Sequence, residues 1–206
     1  MTETTENSSE ASPNNIARTS KPQSGWQSFL ELIRFAVIAV AIVIPIRLYV
    51  AQPFIVSGSS MVPTFENSEY LIVDEISYRL GNPARGDVTI FRYPNDPTKF
   101  YIKRIIGLPG ETVKINQGVV TILNKENPEG FTLEEPYIKD KGGSNKELVL
   151  KEKEYFVMGD NRGASSDSRS WGPVHRKFLI GRAFLRLFPV TKVGMLPGNY
   201  KQAEAN

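Results

Sequence analysis

The feature that most constrains this chain is the apolar run Leu32–Val50, LIRFAVIAVAIVIPIRLYV, broken only by Arg34 and Arg47. Its uncharged part, Phe35–Ile46, is shorter than the roughly 20 residues that a spanning helix takes. Three readings compete. A transmembrane helix would let the two arginines snorkel to opposite interfaces. A cleaved signal peptide would end near Val50, Ala51 and Gln52, but the region ahead of the run is too long for one. A buried core helix would need helical neighbours, and the rest of the chain has no helical pattern to supply them. The expectation is therefore one N-terminal anchor helix over 29–50. Arg18, Lys21 and Arg34 lie in or before the run, and after Arg47 no Lys or Arg occurs until Arg79. That excess places the N-terminal side in the cytoplasm and residues 51–206 outside it. A single-pass protein of the plasma membrane is expected, or of the thylakoid membrane where a cell has one, with membrane lipid as a partner.

Residues 1–25 are rich in Ser, Thr, Asn, Glu and Pro and read as a disordered cytoplasmic tail. Composition narrows the chemistry of the remainder. A net charge of +3 over 206 residues is too small and too dispersed to suggest nucleic acid. There is no cysteine, and His175 is the only histidine. Zinc ligand sets, cysteine nucleophiles and disulfide staples are thereby removed. No metal and no cofactor is expected.

From Phe54 onward the pattern is β. Tyr70–Val73, Asp87–Phe91, Phe100–Ile106, Val113–Ile115, Val119–Leu123 and Tyr155–Met158 are short runs of β-branched and aromatic residues, separated by turn signals such as Arg85-Gly86-Asp87, Pro109-Gly110 and Asn116-Gln117-Gly118. This spacing predicts an antiparallel β fold. Residues 124–146 are polar and read as a loop or ribbon outside the core, while Phe178–Phe188 could close the sheet.

Three segments carry chemistry. In Phe54–Thr64, FIVSGSSMVPT, a strand ends in small residues before a turn fixed by Pro63. A bland Ser/Gly turn is the alternative. In Tyr101–Gly110, YIKRIIGLPG, strand alternation sends Lys103 and Arg104 to opposite faces. A lysine on the dry face would have a lowered pKa; a snorkelling lysine on an edge strand is the alternative. In Met158–Gly172, MGDNRGASSDSRSWG, Asp160, Arg162, Asp167 and Arg169 crowd one loop. Such a set reads either as a solvated loop or as a fixed network that orients something.

Taken together and in this order after an anchor, Ser60–Thr64, Gly86–Val88, Lys103–Gly110 and the two halves of Gly159–Arg169 resemble the conserved boxes of bacterial type I signal peptidases, over roughly residues 26 to 190. The resemblance implies an all-β catalytic domain of coiled antiparallel sheets, the signal-peptidase or LexA-like fold, behind one N-terminal transmembrane helix. It implies a serine endopeptidase that removes signal peptides from exported preproteins, which would be its partners. By motif, Ser60 becomes the nucleophile, Lys103 the general base and Ser165 the residue that hydrogen-bonds and orients the lysine. Arg104 would pair with Asp160, and Asp167 with Arg169. Two points depart from the simplest match. Counting from Ser57-Gly58 would choose Ser59 as nucleophile, whereas counting back from Met61-Val62-Pro63 chooses Ser60. Gly58 also stands where some members carry a serine whose hydroxyl serves the oxyanion hole, which would leave that hole to backbone N–H groups.

The dyad is physically coherent by itself. An ordinary lysine has a pKa of about 10.4, so near pH 8 only roughly one in 250 is neutral. Burial must therefore lower it before it can act as a base. A substrate strand is expected between Phe54–Gly58 and Tyr101–Lys103, with Ile55, Val56, Met61 and Ile102 walling shallow pockets for small side chains. The chain from Ala51 to Ser60 spans at most about 30 Å, which keeps the nucleophile close to the outer bilayer surface. Two other readings are a Ser-His-Asp hydrolase using His175 with Asp160, and an anchored β-domain that binds exported proteins without cutting them.

Overall fold

The structure, a computed structural model, describes residues 25–45 and 51–200. Most of the expected tail, Arg18, Lys21, Arg47 and the last residues of the expected anchor lie outside the described residues. The chain divides into two units, Met1–Ile42 and Val43–Asn206. In the first lies most of α1, Gly25–Pro45. Leu32, Phe35, Val37, Ile38, Val40 and Ile42 are all exposed on it. Glu31 and Arg34 interrupt its first half, and among the described residues no helix is long and apolar enough to cross a membrane.

Among the described residues the second unit has twelve strands: β1 (Ala51–Ile55), β2 (Tyr70–Asp74), β3 (Val88–Tyr93), β4 (Asp96–Gly107), β5 (Thr112–Asn116), β6 (Val119–Leu123), β7 (Phe131–Thr132), β8 (Lys146–Val149), β9 (Glu154–Met158), β10 (Val174–His175), β11 (Leu179–Phe188) and β12 (Gly194–Met195). Two short helices, α2 (Ile76–Leu80) and α3 (Ser168–Trp171), interrupt them. The larger sheet runs β1-β2-β11-β3-β4-β9-β10, with β12 beside β11; the smaller runs β7-β6-β5-β8. Every pairing is antiparallel.

Local chemistry explains the smaller sheet. On β5, Val113 and Ile115 are buried while Lys114 and Asn116 are exposed, the alternation of a half-buried strand. Gln117 and Gly118 both have positive φ, as the two central residues of a tight hairpin turn require. A side chain on Gly118 would also collide with the backbone of Lys141 and Gly142, so the 124–146 excursion packs against this turn. Within that excursion Phe131–Thr132 forms a strand paired with β6, and its last residue, Lys146, opens β8.

The strand that positions the site is β4. It pairs with β3 from Asp96 to Arg104, but β9 joins it only from Arg104 to Gly107. Residues 96–103 therefore keep one free edge, and Lys103 stands at the last position before the strand becomes interior. On the other side of the sheet path, β1 pairs only with β2, so it too has a free edge. The rings of Phe54 and Phe100, one from each of these strands, meet edge to face at 5.4 Å. Beneath them lies a core that includes Val56, Met61, Phe65, Leu71, Val88 and Ile90.

Candidate active site

The serine is held by the loop that leaves β1. Two backbone bonds close the loop at its base, Val56 N–H to the Glu69 carbonyl at 2.9 Å and Ser68 N–H to the Val56 carbonyl at 2.8 Å. Met61 and Phe65 plunge from it into the core, 1% and 0% exposed. Ser60, one residue before Met61, is left at the rim. Farther along, Thr64 Oγ1 donates to Asp160 Oδ2 at 2.5 Å, and Arg186 donates to the Thr64 carbonyl at 2.6 Å. Arg186 is in turn 3.1 Å from the buried Glu69 carboxylate.

Lys103 reaches this rim from β4. Its Nζ donates to Ser60 Oγ at 2.7 Å and to the Ile102 carbonyl at 2.9 Å. The residue is 4% exposed, lies 5.3 Å from the Tyr101 ring, and has no carboxylate within ion-pair distance among the described residues. Burial therefore lowers its pKa to about 8, against the smaller upward pull of the Asp167 and Asp160 charges. Arg104, its neighbour, points the other way. It makes a two-pronged pair with Asp160, Nε to Oδ1 at 2.9 Å and Nη2 to Oδ2 at 2.6 Å, with both side chains essentially fully buried.

The loop after β9 locks both elements together. Asn161 donates its N–H to the Ser60 carbonyl at 3.0 Å and its Nδ2 to the Ser59 carbonyl at 3.1 Å. Asp167 accepts from the Gly159 N–H at 3.1 Å and pairs with Arg169 at 2.8 Å. A side chain at Gly159 would collide with Ser165 Oγ and the Ser60 carbonyl, so glycine is the residue that lets this loop lie against the serine. Ser165 Oγ is buried beside it with no hydrogen-bond partner. The bond expected between Ser165 and Lys103 is thus not formed here; the lysine hydrogens are directed to Ser60 and Ile102.

These groups open into a cleft of about 600 Å³ lined by residues 54–60 and 99–103 with Leu71, Ile90, Ala164 and Ser166. Ile55, Val56, Gly58 and Ile102 of the expected walls are among them. Met61 is not: it is buried in the core and supports the serine from below. Ser59 also borders the cleft, but it is the Ser60 oxygen that meets Lys103. His175 accepts the Lys177 N–H at 3.2 Å through Nδ1 and does not line the cleft, and Asp160 is engaged by Arg104. Sequence reasoning passed over Thr64, Gly159 and Asn161, although all three sit inside the quoted motifs. No signal pointed to Arg186, 122 residues from the carbonyl it holds.

With this geometry in view, the comparisons with known proteins are specific. Residues 29–188 match the family described as signal peptidase, peptidase S26. A probable signal peptidase I-2 of Synechocystis sp. is 40% identical over 87% of this chain and 81% of its own length. A probable signal peptidase I-1 of the same organism is 35% identical over 84% and 89%. A signal peptidase I of Leptolyngbya laminosa is 38% identical over 81% and 83%.

Proposed function

Because the chain belongs to the signal peptidase family, peptidase S26, and is a serine endopeptidase that removes signal peptides, we propose that Ser60 is its nucleophile and Lys103 its general base. The observation that carries this reading is the 2.7 Å approach of Lys103 Nζ to Ser60 Oγ in a site dry enough to bring the lysine to about 8. When Lys103 is neutral, its lone pair accepts the Ser60 proton as Oγ attacks the scissile carbonyl. The Ser60 N–H, which has no partner among the described residues, would face the oxyanion that forms, while the Gly58 N–H is held by Asn67 Oδ1 at 3.0 Å. Lys103 then returns the proton to the leaving amine. In the second half it takes a proton from water, and the acyl-serine ester is hydrolysed. Ser165, whose buried Oγ has no partner among the described residues, is read as a positioning residue for the lysine.

The substrate is read as an extended strand between the free edges of β1 and β4. Main-chain bonds would hold it, and the side chains one and three residues before the cut would face Ile55, Val56 and Ile102. Small residues are expected at both positions, and the position between them should tolerate nearly anything. We also read 29–50 as a membrane anchor with the N-terminus cytoplasmic. Support comes from the second half of α1, residues 35–44, which carries only apolar side chains, nearly all of them exposed, a surface suited to lipid. Cleavage of a purified preprotein by the full chain, with N-terminal sequencing of the product, tests the assignment. Ser60→Ala and Lys103→Arg should each abolish the cut, and a product cut after a large residue such as Phe would refute the substrate register.

A further inference from the structure

Phe100 lines two clefts. The second, of about 330 Å³, is walled also by Gln52 on β1, Glu75 and Arg79 at α2, Arg92 on β3 and Arg176 ahead of β11. Three guanidinium groups thus surround one small space. Arg79 is paired with Glu75 at 2.8 Å. Neither Arg92 nor Arg176 has a carboxylate partner among the described residues. Arg92 donates to the Pro97 carbonyl at 3.1 Å and lies 4.8 Å from the Phe100 ring. Arg176 donates to the Tyr78 carbonyl and lies 5.5 Å from the Tyr78 ring. Carbonyls and ring faces orient these two cations without neutralising them, which leaves a concave positive site suited to an anion. A second observation concerns the opposite need. Glu75 is 5% exposed, and its Oε1 is buried with no donor. An occupant that meets both requirements carries a phosphate for the arginines and a hydroxyl for Glu75.

We propose that this cleft binds the headgroup of an anionic phospholipid, its phosphate on Arg92 and Arg176 and a headgroup hydroxyl on Glu75. The assignment rests on reading 29–50 as a membrane anchor. Gln52, in the wall, is two residues beyond Val50, at most about 7 Å of extended chain, so the cleft opens where the chain leaves the bilayer. Since Phe100 also borders the substrate cleft, a lipid held here fixes the height of that cleft above the membrane. Occupancy therefore matters for preproteins that emerge from the bilayer and not for short soluble peptides.

The test uses the full chain in bilayer discs of phosphatidylcholine with and without phosphatidylglycerol. Native mass spectrometry of the released protein should show phosphatidylglycerol retained in preference to phosphatidylcholine. Arg92→Gln with Arg176→Gln should cut that preference about tenfold, as losing two charge-assisted contacts implies. Arg92→Gln alone, at an exposed side chain, should lower it less and leave the fold untouched. In phosphatidylglycerol discs the double variant should raise KM for an embedded preprotein while kcat for a short soluble peptide stays at the wild-type value. Equal retention of the two lipids, or a preference that survives the double variant, overturns the proposal. A saturable thermal stabilisation by millimolar inorganic phosphate in neutral detergent, lost in the double variant, would assign the cleft to soluble phosphate and overturn the lipid. Release of the full chain from vesicles by alkaline carbonate would overturn the anchor reading itself, whatever the lipid preference.

Discussion

Lys103 and Arg104 are consecutive residues of one strand, both cationic and both buried, yet the fold treats them in opposite ways. Arg104 faces Asp160 in a two-pronged pair and also donates to the Gly86 carbonyl at 2.8 Å. Lys103 is given a hydroxyl and a carbonyl and, among the described residues, no carboxylate close enough to pair with. A buried charge without a partner moves its pKa instead of staying charged. One face of β4 therefore spends its cation on holding the chain together, and the other keeps its cation close to losing a proton. The same alternation that separates the two side chains separates scaffold from chemistry.

Breaking the contrast at Lys103 has the largest expected effect. Arginine in its place cannot deprotonate at working pH, so Lys103→Arg should lower kcat/KM for a preprotein by at least about a thousandfold. Activity within tenfold of wild type would mean that the proton goes elsewhere.

Asp160→Asn attacks the other face. Arg104 would stay buried beside a neutral amide, at a cost of about 3–5 kcal/mol, measurable as a lower urea midpoint with an unchanged slope.

Lys103→Met should move stability in the opposite direction. The folded pKa of about 8 lies below the unfolded value. Charged Lys103 therefore weakens the fold fully below pH 8, and the penalty fades as pH rises toward the unfolded pKa of about 10.4. Removing the amine should stabilise the domain at pH 7 by on the order of 2 kcal/mol, and by progressively less above pH 8. A destabilised Lys103→Met protein would show that the site is not dry.

Ser165→Ala removes a buried hydroxyl that has no partner, so stability should hold while kcat falls about tenfold. The smallest effect belongs to His175→Ala, which should leave the rate within about twofold, as for a surface change.

Much of this was legible in the residues. Strands such as Val113–Ile115 and Val119–Leu123 declare themselves by alternation and by the Gln117-Gly118 turn, because both signals are local. The opposed faces of Lys103 and Arg104 follow from strand geometry, and the pairs Arg104–Asp160 and Asp167–Arg169 are present as the motifs implied. What stayed hidden depends on chain distant in sequence. The place of β11 between β2 and β3 brings Arg186 to the carbonyl of Thr64, and nothing near either residue announces it. Met61 was expected on the cleft wall as a bulky apolar residue near Ser60; the loop closes so tightly at Val56 and Glu69 that its side chain is driven into the core. Helix α2 went unread because five residues carry too little period to detect.

The most direct test of the dyad is the pH dependence of Ser60 acylation by a serine-directed β-lactam-type probe. The account predicts a single limb that rises through about pH 8, following loss of the Lys103 proton. It predicts the same limb in His175→Ala and no labelling in Ser60→Ala or Lys103→Arg. A limb near pH 6.5 that disappears with His175, or full labelling of the Lys103→Arg protein, would contradict it.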